Sequence, residues 1–198
     1  GDHVDQKGSL VAPDRLRFDF SHNAPITDDQ LAAINTSVRG NIDADLPVHA
    51  EVAGLDAARK INALRAVFGE TYPDPVRVVS IGPAVSQLLA DPANPDWMAR
   101  SVEFCGGTHL PSTGGAEAFA LIAEESVSKG VRRVVALTRD PATRAIEAGH
   151  ALRKRAEGAA SLPAKHLQAE VREIQAELEG AEIPLGDKAA IRGFLDDL

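Results

Sequence analysis

Hydrophobic and polar positions change their period several times along this chain. Over residues 8–20 they alternate: Leu10 and Val11 precede a turn at Ala12, Pro13 and Asp14, and Leu16, Phe18 and Phe20 are then interleaved with Arg17 and Asp19. A period of two belongs to a strand, whose successive side chains face opposite sides. The pattern therefore predicts a hairpin whose second strand buries one face and carries Arg17 and Asp19 on the other as an exposed ion pair. Thr27 and Gln30 have the spacing of a capping box, and Leu31, Ile34, Val38 and Ile42 follow at helical intervals. Together they predict a helix over residues 27–44. Alternation returns at 47–52 as a short strand. Residues 56–67 are helical in composition with Gly69 as the stop, and 76–81 form the apolar run of a buried strand.

Residues 83–100 hold prolines at 83, 92 and 95 with the sole Trp and Met, and read as an ordered excursion rather than a core element. Trp97 is expected to pack that loop down rather than to hold a ligand. Two further strands are predicted at 116–123 and 131–137, with a turn at 126–130. From Pro141 onward Ala, Glu, Leu, Arg and Lys dominate, the composition of helices. Pro141 suits the first turn of one helix, and 145–160 carries Leu152 on a weakly apolar face. Pro163 opens another, in which Leu167, Val171, Ile174 and Leu178 form a seam suited to packing on a neighbouring helix. The fold class expected is α+β, with a mixed domain over 1–140 and a helical tail over 141–198.

Composition narrows the function. The chain has 198 residues, 44% of them apolar, enough for a sizeable core. With 21 basic and 29 acidic residues its net charge is −8, which argues against an indiscriminate polyanion or DNA binder but allows a local basic strip. No apolar run approaches the roughly 18 residues of a membrane span, and a single cysteine cannot close an internal disulfide. A reducing, soluble compartment is expected. The opening Gly-Asp-His-Val has neither an initiator Met nor a signal-peptide pattern, so the chain is expected to begin inside a larger protein.

Cys105-Gly106-Gly107-Thr108-His109 holds the only cysteine and places a histidine four positions later, with two glycines to let the backbone turn. Cys and His at this spacing are two zinc ligands of the four a closed site needs. Two other readings stand beside that one: a buried apolar thiol, and a cysteine nucleophile with His109 as its base. Thr108 in such a turn caps its own backbone or offers its hydroxyl to a ligand. Arg132 and Arg133 are either solvated strand residues or phosphate contacts.

Three strings in order carry a resemblance: Gln6-Lys7-Gly8-Ser9-Leu10-Val11 leading into Leu16-Arg17-Phe18-Asp19-Phe20-Ser21-His22, then Cys105 to His109, then Gly130-Val131-Arg132-Arg133. Ala66-Val67-Phe68-Gly69-Glu70-Thr71-Tyr72 followed by Val76-Arg77-Val78 adds to them. The combination resembles the editing domain of the alanyl-tRNA synthetases, which is similar to the second additional domain of the threonyl enzymes. The resemblance runs to about Thr138, and the tail is similar to the family's linker toward its C-terminal domain. It implies a hydrolytic module that removes serine or glycine from tRNA(Ala), inside a cytoplasmic ligase that joins alanine to tRNA(Ala) with ATP and Mg2+.

The resemblance also implies zinc, held by a His-x-x-x-His pair on a preceding helix together with Cys105 and His109. No such pair is present: none of His3, His22, His49, His150 and His166 has a histidine four residues away. A zinc half-site is therefore expected, with weak binding and doubtful activity. By the same resemblance Gln6 is the editing-site glutamine; in that setting the ligand reading of Thr108 would put its hydroxyl on the serine hydroxyl, and the phosphate reading of Arg132 and Arg133 would put them on tRNA. The alternatives are a free-standing deacylase acting in trans, which would need the histidine pair, and a non-catalytic tRNA-binding or structural segment.

Overall fold

The computed structural model describes residues 4–66 and 70–198. In chain order its elements are β1 (Gln6–Val11), β2 (Leu16–Ser21), α1 (Asp28–Asp43), β3 (Val48–Ala53), α2 (Leu55–Ala58), β4 (Leu64–Arg65), β5 (Val76–Ile81), α3 (Val85–Ala90), β6 (Ser101–Phe104), β7 (Phe119–Ser128), β8 (Val131–Thr138), α4 (Arg139–Ala159), α5 (Ala164–Gly180) and α6 (Leu185–Asp196). The fold is α+β, as expected. It divides into two compact units, Gly1–Arg39 with Ala118–Leu198, and Gly40–Glu117.

In the first unit β1, β2, β8 and β7 form an antiparallel sheet in that order. The expected hairpin is β1–β2, but its burial departs from the alternation. Phe20 is buried while Phe18 is 37% exposed, and Arg17 and Asp19 on the opposite face are half-buried. A cross-strand pair accounts for this. Asp19 stands opposite Arg133 and accepts two hydrogen bonds from its guanidinium, at 2.7 and 2.8 Å. The expected Arg17–Asp19 ion pair is replaced by one with Arg133, which holds the Asp19 carboxyl below the usual carboxylate range.

The capping box of α1 forms as predicted. Gln30 donates its backbone N–H to Thr27 Oγ1 at 3.3 Å, and Gln30 Oε1 accepts from the Thr27 N–H at 3.0 Å. At the other end of the unit, Pro141 lies in the first turn of α4. Ala142 and Ala145 pack with Ala120, Ile122 and Leu137 of the sheet. The seam of α5 closes a second apolar cluster, in which Ile174 and Leu178 meet Leu152 and Ala156 of α4 and Ile191 and Leu195 of α6, with Leu167 and Val171 at its margin. Arg155 of α4 spans Glu170, Glu173 and Glu177 along α5. The tail is thus three packed helices. Among the described residues no helix is long and apolar enough to cross a membrane.

The second unit holds the sheet β3-β5-β6-β4, antiparallel except where β4 runs parallel to β6. Two expectations change here. The helix predicted over 56–67 is only the single turn α2, because Asn62 leaves the helical path. Its N–H donates to Pro92 O at 2.9 Å and its Nδ2 to Ala93 O at 2.6 Å. Ile61 and Ala63 on either side are buried in strand-like alternation. The stop at Gly69 lies outside the described residues. Residues 83–100 are not a mere excursion, since α3 buries Val85 and Leu88 in the core beside Val78 and Val102. Trp97 behaves as expected: it packs on that core and donates Nε1–H to Asp91 O at 2.7 Å.

Asp45, at a positive φ of 45°, ties down the loop after His109. It accepts from Ser112 Oγ at 2.5 Å and from the Gly114 N–H at 3.0 Å. A Cβ on Gly114 would begin 2.3 Å from Asp45 Oδ1, so a side chain there must expel the carboxylate and break both bonds. Gly114→Ala is expected to lower stability by about 1–3 kcal/mol, the cost of charged-acceptor hydrogen bonds left unmade. Urea unfolding at neutral pH measures it, and a change below a few tenths of a kcal/mol would show that Asp45 is dispensable.

Candidate metal centre

The centre begins with alternation along β6. Val102 and Phe104 are buried in the core, so Glu103 and Cys105 point to the opposite face of the sheet. Antiparallel pairing with β5 sets their height, with Glu103 opposite Val79 and Phe104 opposite Val78. The chain then leaves the strand, and Arg77 of β5 holds the departing turn. Its Nη1 donates to Cys105 O at 2.8 Å and to Gly107 O at 2.5 Å, while the Cys105 N–H donates to Arg77 O at 3.4 Å.

This turn carries His109 back over the strand. His109 Nε2 lies 4.0 Å from Glu103 Oε1, and the ligand atoms of Glu103, Cys105 and His109 all fall within 4.8 Å of one another. Neither Gly106 nor Gly107 adopts the left-handed backbone that only glycine favours. Space does not require glycine there either: a Cβ on Gly107 would start 3.5 Å from Cys105 Sγ, an ordinary contact, and one on Gly106 meets nothing.

The donor set is one thiol, one imidazole and one carboxylate. Around a tetrahedral zinc with bonds of about 2.0–2.3 Å, such donors sit roughly 3.3–3.7 Å apart. The observed separations, none above 4.8 Å, exceed this by about 1.5 Å at most, within reach of side-chain torsions. The residues therefore fit a zinc-sized ion. Glu103 is the member that motif reading misses. Its signal was present, since it stands two positions before Cys105 on an alternating strand and so shares its face.

A family model described as the threonyl and alanyl tRNA synthetase second additional domain matches residues 76–135, which include all three donors. The cytoplasmic alanine–tRNA ligase of Dictyostelium discoideum is 50% identical over 171 residues, covering 86% of this chain and 18% of that protein. The mitochondrial alanine–tRNA ligase of Saccharomyces cerevisiae is 50% identical over 138 residues, 70% of this chain and 14% of that protein. For the cytoplasmic enzyme of Bombyx mori, 38% identity extends over 206 residues, 100% of this chain and 21% of the relative. The chain belongs to the alanyl-tRNA synthetase family. It spans about a fifth of the length of the curated relatives it matches.

The other residues singled out in this alanyl-tRNA synthetase segment fall in both units. Thr108 is exposed on the turn between Gly107 and His109. Gln6 is half-buried at the start of β1, where its Nε2 donates to Ser9 Oγ at 3.1 Å. Arg132 and Arg133 are half-buried and paired rather than free in solvent. Arg132 donates to both oxygens of Glu124, and Arg133 engages Asp19 and Glu125. A phosphate at either would compete with those carboxylates. The backbone N–H of His22 donates to Gly130 O at 3.0 Å.

Proposed function

We propose that this chain is the editing part of an alanine–tRNA ligase and that its site hydrolyses the ester joining serine or glycine to tRNA(Ala). The observation that carries the reading is the convergence of Cys105, His109 and Glu103 in a chain of this family. Serine exceeds alanine by one hydroxyl, and an apolar pocket rejects such an addition by only about a hundredfold. A separate hydrolytic site supplies the remaining accuracy.

Zinc is the metal proposed for the centre, held through Cys105 Sγ and a His109 ring nitrogen. When bound it would supply a positive charge that polarises an ester carbonyl or anchors the substrate's amino group or hydroxyl. The protein's own groups bind the substrate. The Thr108 hydroxyl, exposed beside the centre, hydrogen-bonds the serine hydroxyl, and Gln6 offers its amide to the substrate. Arg77, by fixing the carbonyls of Cys105 and Gly107, holds the turn that presents Thr108 and His109. Arg132 and Arg133 are retained as tRNA contacts.

Residues 1–140 form the editing region in this reading, and 141–198 the helical linker to further sequence. The ligation of alanine with ATP and Mg2+ is assigned to the parent enzyme, in the cytoplasm. The test is release of serine and of glycine from tRNA(Ala) by the protein with zinc added. Release has to exceed that in buffer alone; tRNA binding with no such release would make the segment a binding module instead.

A further inference from the structure

We propose that Thr113 and Asp45 are positioning residues for His109, fixing the far end of the turn whose near end Arg77 holds. The inference rests on the reading of Cys105 and His109 as metal donors and extends it to two residues that serve the site only through the backbone. Both lie in the second unit, as does the turn.

Among residues 110–117 the only regular element is a short 3-10 turn, Thr113–Ala116. Side chains supply the fastening that strands and helices do not. Helix α1 ends at Asp43, and carbonyls of a helix's last turn lack intrahelical donors. The N–H groups of Ala44 and Asp45 donate to Gly40 O and Ile42 O, which passes over Asn41 O. Thr113 Oγ1 donates to that carbonyl at 2.6 Å and accepts from the Leu46 N–H at 2.8 Å. Its own N–H donates to Leu46 O at 2.9 Å. On either side of Thr113, Ser112 Oγ and the Gly114 N–H donate to Asp45 Oδ1.

The consequence for His109 is one of reach. The Val48 N–H donates to Pro111 O at 2.9 Å, next to these bonds, and Arg77 holds Gly107 O at 2.5 Å. Only Thr108, His109 and Leu110 stand between the two anchors. So short a span is stiff, and the placement of its ends sets the directions open to the imidazole. Released at Thr113 and Asp45, the turn gains conformations in which His109 no longer faces Cys105, and the metal is held less tightly.

The test uses an alanine–tRNA ligase carrying this segment. Zinc affinity is read by competition with a chelator of known strength, well below the unfolding temperature of each variant, where a bond that serves folding alone leaves the affinity unchanged. Serine release from seryl-tRNA(Ala) is followed on the same samples. Thr113→Val keeps the shape of the side chain and loses both hydroxyl bonds. It is expected to weaken zinc binding by about 10–100-fold, the range of an outer-shell partner, with serine release at limiting zinc falling in step. Thr113→Ser, which keeps the hydroxyl, is expected to stay close to wild type. Asp45→Gly suits the positive φ of 45° and removes only the carboxylate. It is expected to weaken zinc binding by at least about tenfold, and it decides the matter if Thr113→Val does not fold.

Wild-type zinc affinity in folded Thr113→Val or in Asp45→Gly, or no recovery in Thr113→Ser, overturns the proposal. If His109→Ala still loses zinc in that case, the reading of the centre stands without these two residues. Zinc affinity unmoved by His109→Ala overturns that reading, and the proposal with it.

Discussion

Cys105→Ala is expected to cut hydrolysis of seryl-tRNA(Ala) by about a hundredfold or more in an alanine–tRNA ligase that carries this segment. The magnitude follows from position. Cys105 is the only thiol in the chain and the one soft ligand in the cluster with Glu103 and His109. Loss even of an outer-shell partner typically costs 10–100-fold in metal affinity or activity, and loss of a ligand should exceed that range. The backbone consequences are small, because Arg77 grips the carbonyls of Cys105 and Gly107 rather than the side chain. Serine release from the charged tRNA measures the effect, with zinc content read on the same samples. Full hydrolysis in the variant would remove Cys105 from the site, and a loss of hydrolysis with zinc retained would make it a positioning residue.

The largest stability effect is expected in the helical tail. Ile174 is wholly buried where α5 meets α4 and α6, among Leu152, Ala156, Leu178, Ile183 and Ile191. Ile174→Ala removes three carbons from the centre of a closely packed cluster, leaving a void that the surrounding Leu and Ile side chains fill only in part. Large-to-small changes of this kind cost about 2–5 kcal/mol. Urea unfolding of the whole chain, followed by circular dichroism, should show a midpoint lowered accordingly. Leu167→Ala, at the margin of the same seam, should cost clearly less. Equal costs at the two positions would mean that the seam is not the core of the helical part.

Sequence patterns located most of the fold because periodicity and capping act locally. Thr27 and Gln30 satisfy each other within four residues, and the α5 seam needs only a regular helix to line up. The misses came where distant residues intervene. Arg133, 114 positions from Asp19, half-buries a polar face of β2 that the alternation alone predicts as exposed. Asn62 ends α2 by bonding across 31 residues to Ala93, which composition alone does not reveal. Glu103 sits between these cases. Its shared face with Cys105 follows from strand alternation, but its approach to His109 depends on the turn that Arg77 fixes from a neighbouring strand.

The most direct measurement presents seryl-tRNA(Ala) and alanyl-tRNA(Ala) in parallel to the zinc-loaded ligase carrying this segment, without ATP, and follows release of each amino acid. The account predicts that serine is released faster than alanine by about the hundredfold that an apolar synthetic pocket leaves to be made up. Equal rates for the two esters, or neither above the rate in buffer, would contradict it.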